Sequence, residues 1–248
     1  MNCFGLTDRG LTRADNQDTF VIREVPSADC VIFAVCDGVG GQNSGSVASE
    51  LAKRAFSEYI LAKLTSRVHK NPDIRLVLEE ACAEANQVVF QYSMFTEDYH
   101  GMGTTLVGGV LYGSGKAFLA NIGDSRAYHI VPKENKIRQI TTDHSLVEMY
   151  VAAGILTREE ARTHKQKNII TRSVGGEEKI EADLFELTLK KNELILLCSD
   201  GVSNPVSDEE LLQLAKKYRD PRRYCEKIKE LVLQRGAADN LTAVMAVR

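Results

Sequence analysis

No stretch of this sequence approaches the roughly 18 consecutive apolar residues that a membrane-spanning helix needs. The first residues, Met1-Asn2-Cys3-Phe4-Gly5, lack the basic-then-apolar order of a secretory leader. Positive charge is not in surplus either: 31 Lys and Arg face 34 Asp and Glu, a formal charge of -3. That balance offers no electrostatic footing for nucleic acid or an anionic membrane. The six cysteines (Cys3, Cys30, Cys36, Cys82, Cys198, Cys225) include no Cys-x-x-Cys pair. This spacing supports neither a zinc site nor a disulfide scaffold, and several sit in apolar runs where a thiol acts as a small hydrophobe. The expectation is a reduced, cytoplasmic, monomeric protein. The five histidines show no His-x-x-x-His pairing, and each reads as a surface or loop residue rather than a ligand. No glycine-rich P-loop is present.

What remains is ordinary globular material, 44% hydrophobic and 26% charged over 248 residues, with no internal repeat or linker. One domain over 1–248 is the economical reading. Strands are expected over Cys3–Asp8, Asp18–Val25 and Val31–Val35, then helices from about Ser46 to Leu64 and after Pro72. A glycine-punctuated β region follows, with strands over Thr104–Leu111, Lys116–Asn121, Ser125–Val131 and Lys136–Ile140. Tight connections there imply antiparallel meanders. Residues from about 141 to 181 turn polar and read as mostly helical, a candidate lid, with a capping box at Thr157-Arg158-Glu159-Glu160. Strands resume over Ala182–Leu189 and Glu193–Cys198. Two helices then follow, one opened by the capping box Ser207-Asp208-Glu209-Glu210, the other over Pro221–Gln234. Strand Asn240–Val247 closes the chain.

The informative stretch is Asp37-Gly38-Val39-Gly40-Gly41, a carboxylate after a buried strand with glycines that let backbone or ligand approach closely. Asp-Gly is also plain turn chemistry. The pattern recurs as Cys198-Ser199-Asp200-Gly201. Asp37 and Asp200 follow the ends of strands, whereas Asp18 and Asp239 stand at the starts of strands. In antiparallel sheets an end lies beside a neighbour's start, so the four acids can share one rim. Crowded carboxylates raise one another's pKa unless a cation neutralises them. An all-oxygen set suits magnesium or manganese rather than zinc. Asp124, in Gly123-Asp124-Ser125-Arg126, reads as a hairpin turn as readily as a further acid of this set. Arg13 sits on a glycine-containing loop before the first acid. Its guanidinium either grips a phosphoryl group or stands in solvent.

Taken in order, Arg13-Ala14-Asp15-Asn16-Gln17-Asp18, Asp37-Gly38-Val39-Gly40-Gly41, Gly103-Thr104-Thr105, Gly123-Asp124-Ser125-Arg126, Ser199-Asp200-Gly201 and Asp239-Asn240-Leu241-Thr242 resemble the metal-dependent phosphatases of the protein phosphatase 2C type, in their compact bacterial form. The resemblance spans nearly the whole chain. It implies an α+β fold, an α/β/β/α sandwich of two antiparallel sheets flanked by helices. It implies hydrolysis of phosphoserine and phosphothreonine in proteins with two or three Mn or Mg ions, opposing a serine/threonine kinase. Asp37 would bridge two ions, the Gly38 carbonyl would join one shell, Asp200 and Asp239 the other, with Asp18 in or behind a shell. Asp124 would match a third, weaker site, Arg13 the phosphate-binding arginine, and 141–181 the flap beside the cleft. Many relatives carry glutamate where this chain has Gln17, and several eukaryotic ones a histidine where it has Val39. Cys36 and Cys198 lie beside the acids and read as strand cysteines, so no covalent phosphoenzyme is expected. A phosphoprotein-binding module without turnover, and a two-metal hydrolase of a non-protein phosphate ester, are the alternatives.

Overall fold

The computed structural model describes residues 1–40, 44–66, 72–95 and 97–248, so Gly41 of the glycine motif and His69 lie outside the described residues. Strands β1 (Asn2–Asp8), β2 (Asp18–Val25) and β3 (Cys30–Val39) precede two 22-residue helices, α1 (Ser44–Thr65) and α2 (Ile74–Phe95). Then come β4 (Gly103–Thr104), β5 (Leu106–Tyr112), β6 (Lys116–Ile122), β7 (Arg126–Val131) and β8 (Lys136–Gln139). After α3 (Leu146–Ala152) and α4 (Arg158–Thr163), the chain runs through β9 (Asp183–Thr188) and β10 (Leu194–Cys198). It ends with α5 (Asp200–Ser203), α6 (Asp208–Lys217), α7 (Pro221–Gln234) and β11 (Leu241–Val247).

One sheet has the order β1-β11-β10-β7-β8 and the other β2-β3-β5-β6-β9, with β4 paired to β3; every strand pairing is antiparallel. The period of two along each strand builds the layers. Along β3, Val31, Phe33 and Val35 pack with Ile195, Leu197, Val244 and Ala246 of the other sheet. Ile32, Ala34 and Cys36 point the opposite way, onto Ala48, Ala52 and Phe56 of α1 and Cys82 and Ala85 of α2. The alternation repeats on β10, where Leu194, Leu196 and Cys198 join Leu211 of α6 and Tyr224 and Ile228 of α7. Strands apolar on both faces must be covered on both faces, and the result is the α/β/β/α sandwich.

Four local expectations change. β3 runs on through Asp37 to Val39, so that acid lies inside the strand. The run expected as one strand over Thr104–Leu111 breaks at Thr105, and β4 pairs its Gly103 and Thr104 with Val39 and Gly38. Asp124 is not on a hairpin: β6 and β7 belong to different sheets, so the turn carries the chain from one layer to the other. Residues 141–181 hold two short helices, and the rest is irregular, because their polar residues lack a continuous apolar stripe to bury. Both ends of this segment are clipped together where Ser145 pairs with Ile170.

Candidate metal centre

Register decides which acids meet. In the β2–β3 ladder, Asp18 is the direct partner of Asp37. β11 pairs with β10, so the stretch before β11 and the stretch after β10 leave the sheet at one edge, and with them Asp239 and Asp200. The sandwich brings these edges and the β6–β7 turn together. Asp18, Asp200, Asp124 and Asp239 all repel the carboxylate of Asp37.

The scaffold under each acid is specific. The backbone N–H of Asp37 donates to Thr105 Oγ1 at 3.0 Å, and its carbonyl accepts from Thr104 Oγ1 at 2.8 Å and from the Thr105 N–H at 2.8 Å. The break between β4 and β5 therefore grips Asp37 from both sides. Asp18 is buried, and its Oδ2 accepts from Ser199 Oγ and Thr242 Oγ1, both at 2.7 Å. Gly38 follows because nothing larger fits: a β-carbon there would lie 2.1 Å from the Gly45 carbonyl oxygen and 2.8 Å from that of Gln17. Buried Asn240 ties down the loop carrying Arg13, donating to the Arg9 and Asp15 carbonyls at 2.9 and 2.8 Å and accepting from Gln17 N–H at 2.8 Å. The Arg13 guanidinium, more than half exposed, donates to Asp239 Oδ2 at 2.8 Å.

Electrostatics follow the crowding. Burial raises the Asp37 carboxyl well above its ordinary range, and its four neighbours push the same way. Burial lifts Asp18 to about 6 despite the two hydroxyl donors, and lifts Asp124 to about 8 with help from Asp200 and Asp143. Asp200 is raised by burial and then by Asp239. Asp37, Asp124 and Asp200 keep some solvent contact, which tempers the penalty without removing it. Asp37 faces Asp18 across the β2–β3 ladder, and after burial itself Asp18 and then Asp200 raise its carboxyl the most. Carboxylates crowded in this way are tolerable only when a proton or a cation neutralises part of their charge.

This donor set fits a hard divalent cation in chemistry. All its ligands are oxygens, and Asp18 Oδ1 is buried without a hydrogen-bond partner. Among the described residues, no three acidic, histidine or cysteine side chains close into a finished cage. The cluster is thus a concentration of oxygen donors, not a preformed shell. Cys36 and Cys198 lie beside it, but burial pushes both thiols far up, so neither is a nucleophile.

A cleft of about 150 Å³ opens beside Asp124 and Asp200, walled by Asp143, Arg158, Arg162 and Lys167. A larger one of about 1060 Å³ lies between α2 and residues 170–181 and contains none of the acids. The chemistry, not the volume, marks the site. One histidine departs from the surface-or-loop reading, and one loop histidine is buried. His129 lies in β7 and meets Glu193 at 2.9 Å, and His144, although in a loop, is buried against the Asp124 turn. A lone histidine in a polar run carries no sequence signal for that burial.

A family model described as Protein phosphatase 2C matches residues 12–245. The chain is 34% identical over 242 residues to the serine/threonine phosphatase stp of Listeria monocytogenes, covering 98% of this chain and 94% of that one. Its fold matches the crystal structure of serine/threonine phosphatase Stp1 from Staphylococcus aureus with a TM-score of 0.90 at 31% identity, covering 99% and 94% of the two chains. It also matches the catalytic domain of serine threonine protein phosphatase PstP, solved with 2 manganese ions, with a TM-score of 0.83 at 31% identity, covering 99% and 97%.

Proposed function

The chain belongs to the protein phosphatase 2C family and is a metal-dependent serine/threonine protein phosphatase, and from that premise we propose how its residues share the work. The observation that carries the assignment is the convergence of Asp18, Asp37, Asp124, Asp200 and Asp239 beside Arg13. Asp37 is the central ligand, with the Gly38 carbonyl, Asp18, Asp200 and Asp239 completing a site for two Mn or Mg ions, and Asp124 serving a third. When bound, such ions polarise phosphoryl oxygens and lower the pKa of water.

The chain's own groups do the rest. Arg13 presents a planar pair of N–H donors at the rim, where they take two oxygens of a phosphoryl group. Its partner Asp239 holds the guanidinium in that orientation through the 2.8 Å hydrogen bond to Oδ2. Ser199 and Thr242 hold Asp18 with one oxygen occupied and the other free to ligate. Thr104 and Thr105 fix the backbone of Asp37, so the carboxylate is placed before anything binds. Val39, 43% exposed, offers no proton at the mouth, which leaves leaving-group protonation to solvent at the site. Residues 141–181 are the flap over this cleft, within a single catalytic domain. The substrate is a phosphorylated protein, and the opposing enzyme is a serine/threonine kinase. The setting is cytoplasmic signalling by a monomer; no described helix is long and apolar enough to cross a membrane.

Phosphate release from a phosphothreonine peptide tests the assignment. Release should require manganese, stop with EDTA, and be nearly abolished in Asp37→Asn. In Arg13→Ala the KM should rise about tenfold while turnover with saturating peptide falls less. Manganese-independent release would refute the reading.

A further inference from the structure

The turn bearing Asp124 is held from several directions. Gly123 has φ +106°, and a β-carbon there would lie 2.6 Å from Thr105 Cγ2, so the tight turn requires glycine. The hydroxyls of Ser125 and Thr105 hydrogen-bond at 2.7 Å. The Gly123 carbonyl accepts from the His144 N–H at 3.0 Å and from Asn121 Nδ2 at 3.2 Å. The remaining grip is the His144 side chain. It is buried, and its Nδ1 accepts from the Gly123 N–H at 3.1 Å.

That donor settles the tautomer. A backbone N–H aimed at Nδ1 requires a lone pair there, so the ring hydrogen of the neutral imidazole sits on Nε2. Nε2 faces Asp183 Oδ2 at 3.2 Å and donates to it. Arg172 NH1 also lies 3.2 Å from Nε2, but its acceptors are the Glu181 carbonyl and Asp183 Oδ1, each at 3.0 Å. The His144 carbonyl accepts from the Thr171 N–H at 2.8 Å. One residue thus touches the Asp124 turn, the return of the 141–181 segment, and β9.

We propose that His144 is a positioning residue, which, as the Nε2–H tautomer oriented by Asp183, uses Nδ1 to fix the Gly123–Asp124 turn and so sets the reach of the Asp124 carboxylate toward a bound cation. The proposal rests on the reading of Asp124 as a cation ligand. Two amide replacements separate the ring's two jobs: Asn places its oxygen near the Nδ1 position, whereas Gln reaches toward the Nε2 position and leaves Gly123 N–H without its acceptor.

Calorimetric titration of the metal-free protein with MnCl2 reads this without turnover. His144→Ala and His144→Gln should weaken the Asp124-dependent binding event about tenfold, in the range for lost outer partners of metal ligands, and His144→Asn should restore it. Amide exchange at Gly123 in the metal-free protein should accelerate in His144→Gln and stay slow in His144→Asn. In an Asp124→Asn background, His144→Gln should change Mn binding no further. Wild-type Mn binding in both His144→Gln and His144→Ala, or equal weakening in His144→Asn and His144→Gln, would overturn the proposal while leaving Asp124 as a ligand. Unchanged stoichiometry in Asp124→Asn alone would remove Asp124 from the site and the proposal with it. Should His144→Ala not fold, the Asn and Gln pair carries the comparison.

Discussion

Single side chains decide how this site behaves with pH. Asp18 and Asp124 have folded-state pKa values of about 6 and about 8, both above the ordinary 3.8, and Asp37 and Asp200 shift in the same direction. A raised carboxyl holds a proton in the folded state that the unfolded chain releases. Stability therefore drains away as pH rises from the unfolded value through the folded one. Metal-free protein should melt at a higher temperature at pH 6 than at pH 8.5, and Mn should recover the loss at pH 8.5. At pH 8.5 without metal, Asp124→Asn should be stabilising by on the order of 1–2 kcal/mol, less than the whole shift because the group keeps solvent contact. For a chain of this length that is about 2–8 °C in Tm. A lower Tm in Asp124→Asn would show that the carboxylate is not under repulsion. The acids were legible in the sequence because each stands at a strand boundary or beside a glycine that allows a close approach. Ser199, Thr242 and Asn240 were visible as neighbours of those acids, but their hydrogen bonds span more than 40 residues of chain and leave no local pattern.

Elements with strong local chemistry were read accurately. Both capping boxes form, with Thr157 and Ser207 each accepting from the N–H three residues on and Glu160 and Glu210 reaching back. Ser207→Ala should cost about 1 kcal/mol in a urea titration, since one backbone donor of α6 loses its acceptor. No change would mean that α6 draws its stability from packing alone. Where the local signal was weak, tertiary contacts prevailed. Periodicity carried Thr104–Leu111 as one strand, but Thr105 leaves the ladder to hold Asp37. Asp200–Ser203 forms a helix of one turn, too short to show a period. The 141–181 segment contains good helix formers, yet its irregular parts are set by contacts with distant residues, Val174 with Thr104 and Gly175 with Asn86.

At the scale of the molecule, the layered order was readable because β3, β10 and β11 are apolar on both faces, which demands covers on both sides. The pairing of particular acids was not, since register depends on which strands become neighbours. The layer between the sheets is what holds the two halves of the acid cluster in place. Phe33, fully buried in that layer, should cost about 3–5 kcal/mol on truncation to Ala, measured by chemical denaturation. A cost under 1 kcal/mol would mean that the sheets do not pack there as described. The most direct test of the whole account is anomalous diffraction from crystals grown with MnCl2. Manganese peaks should appear among Asp37, Asp18, Asp200 and Asp239, with Asp37 ligating, and a weaker one at Asp124. Peaks only elsewhere on the surface, with Asp37 free of metal, would contradict it.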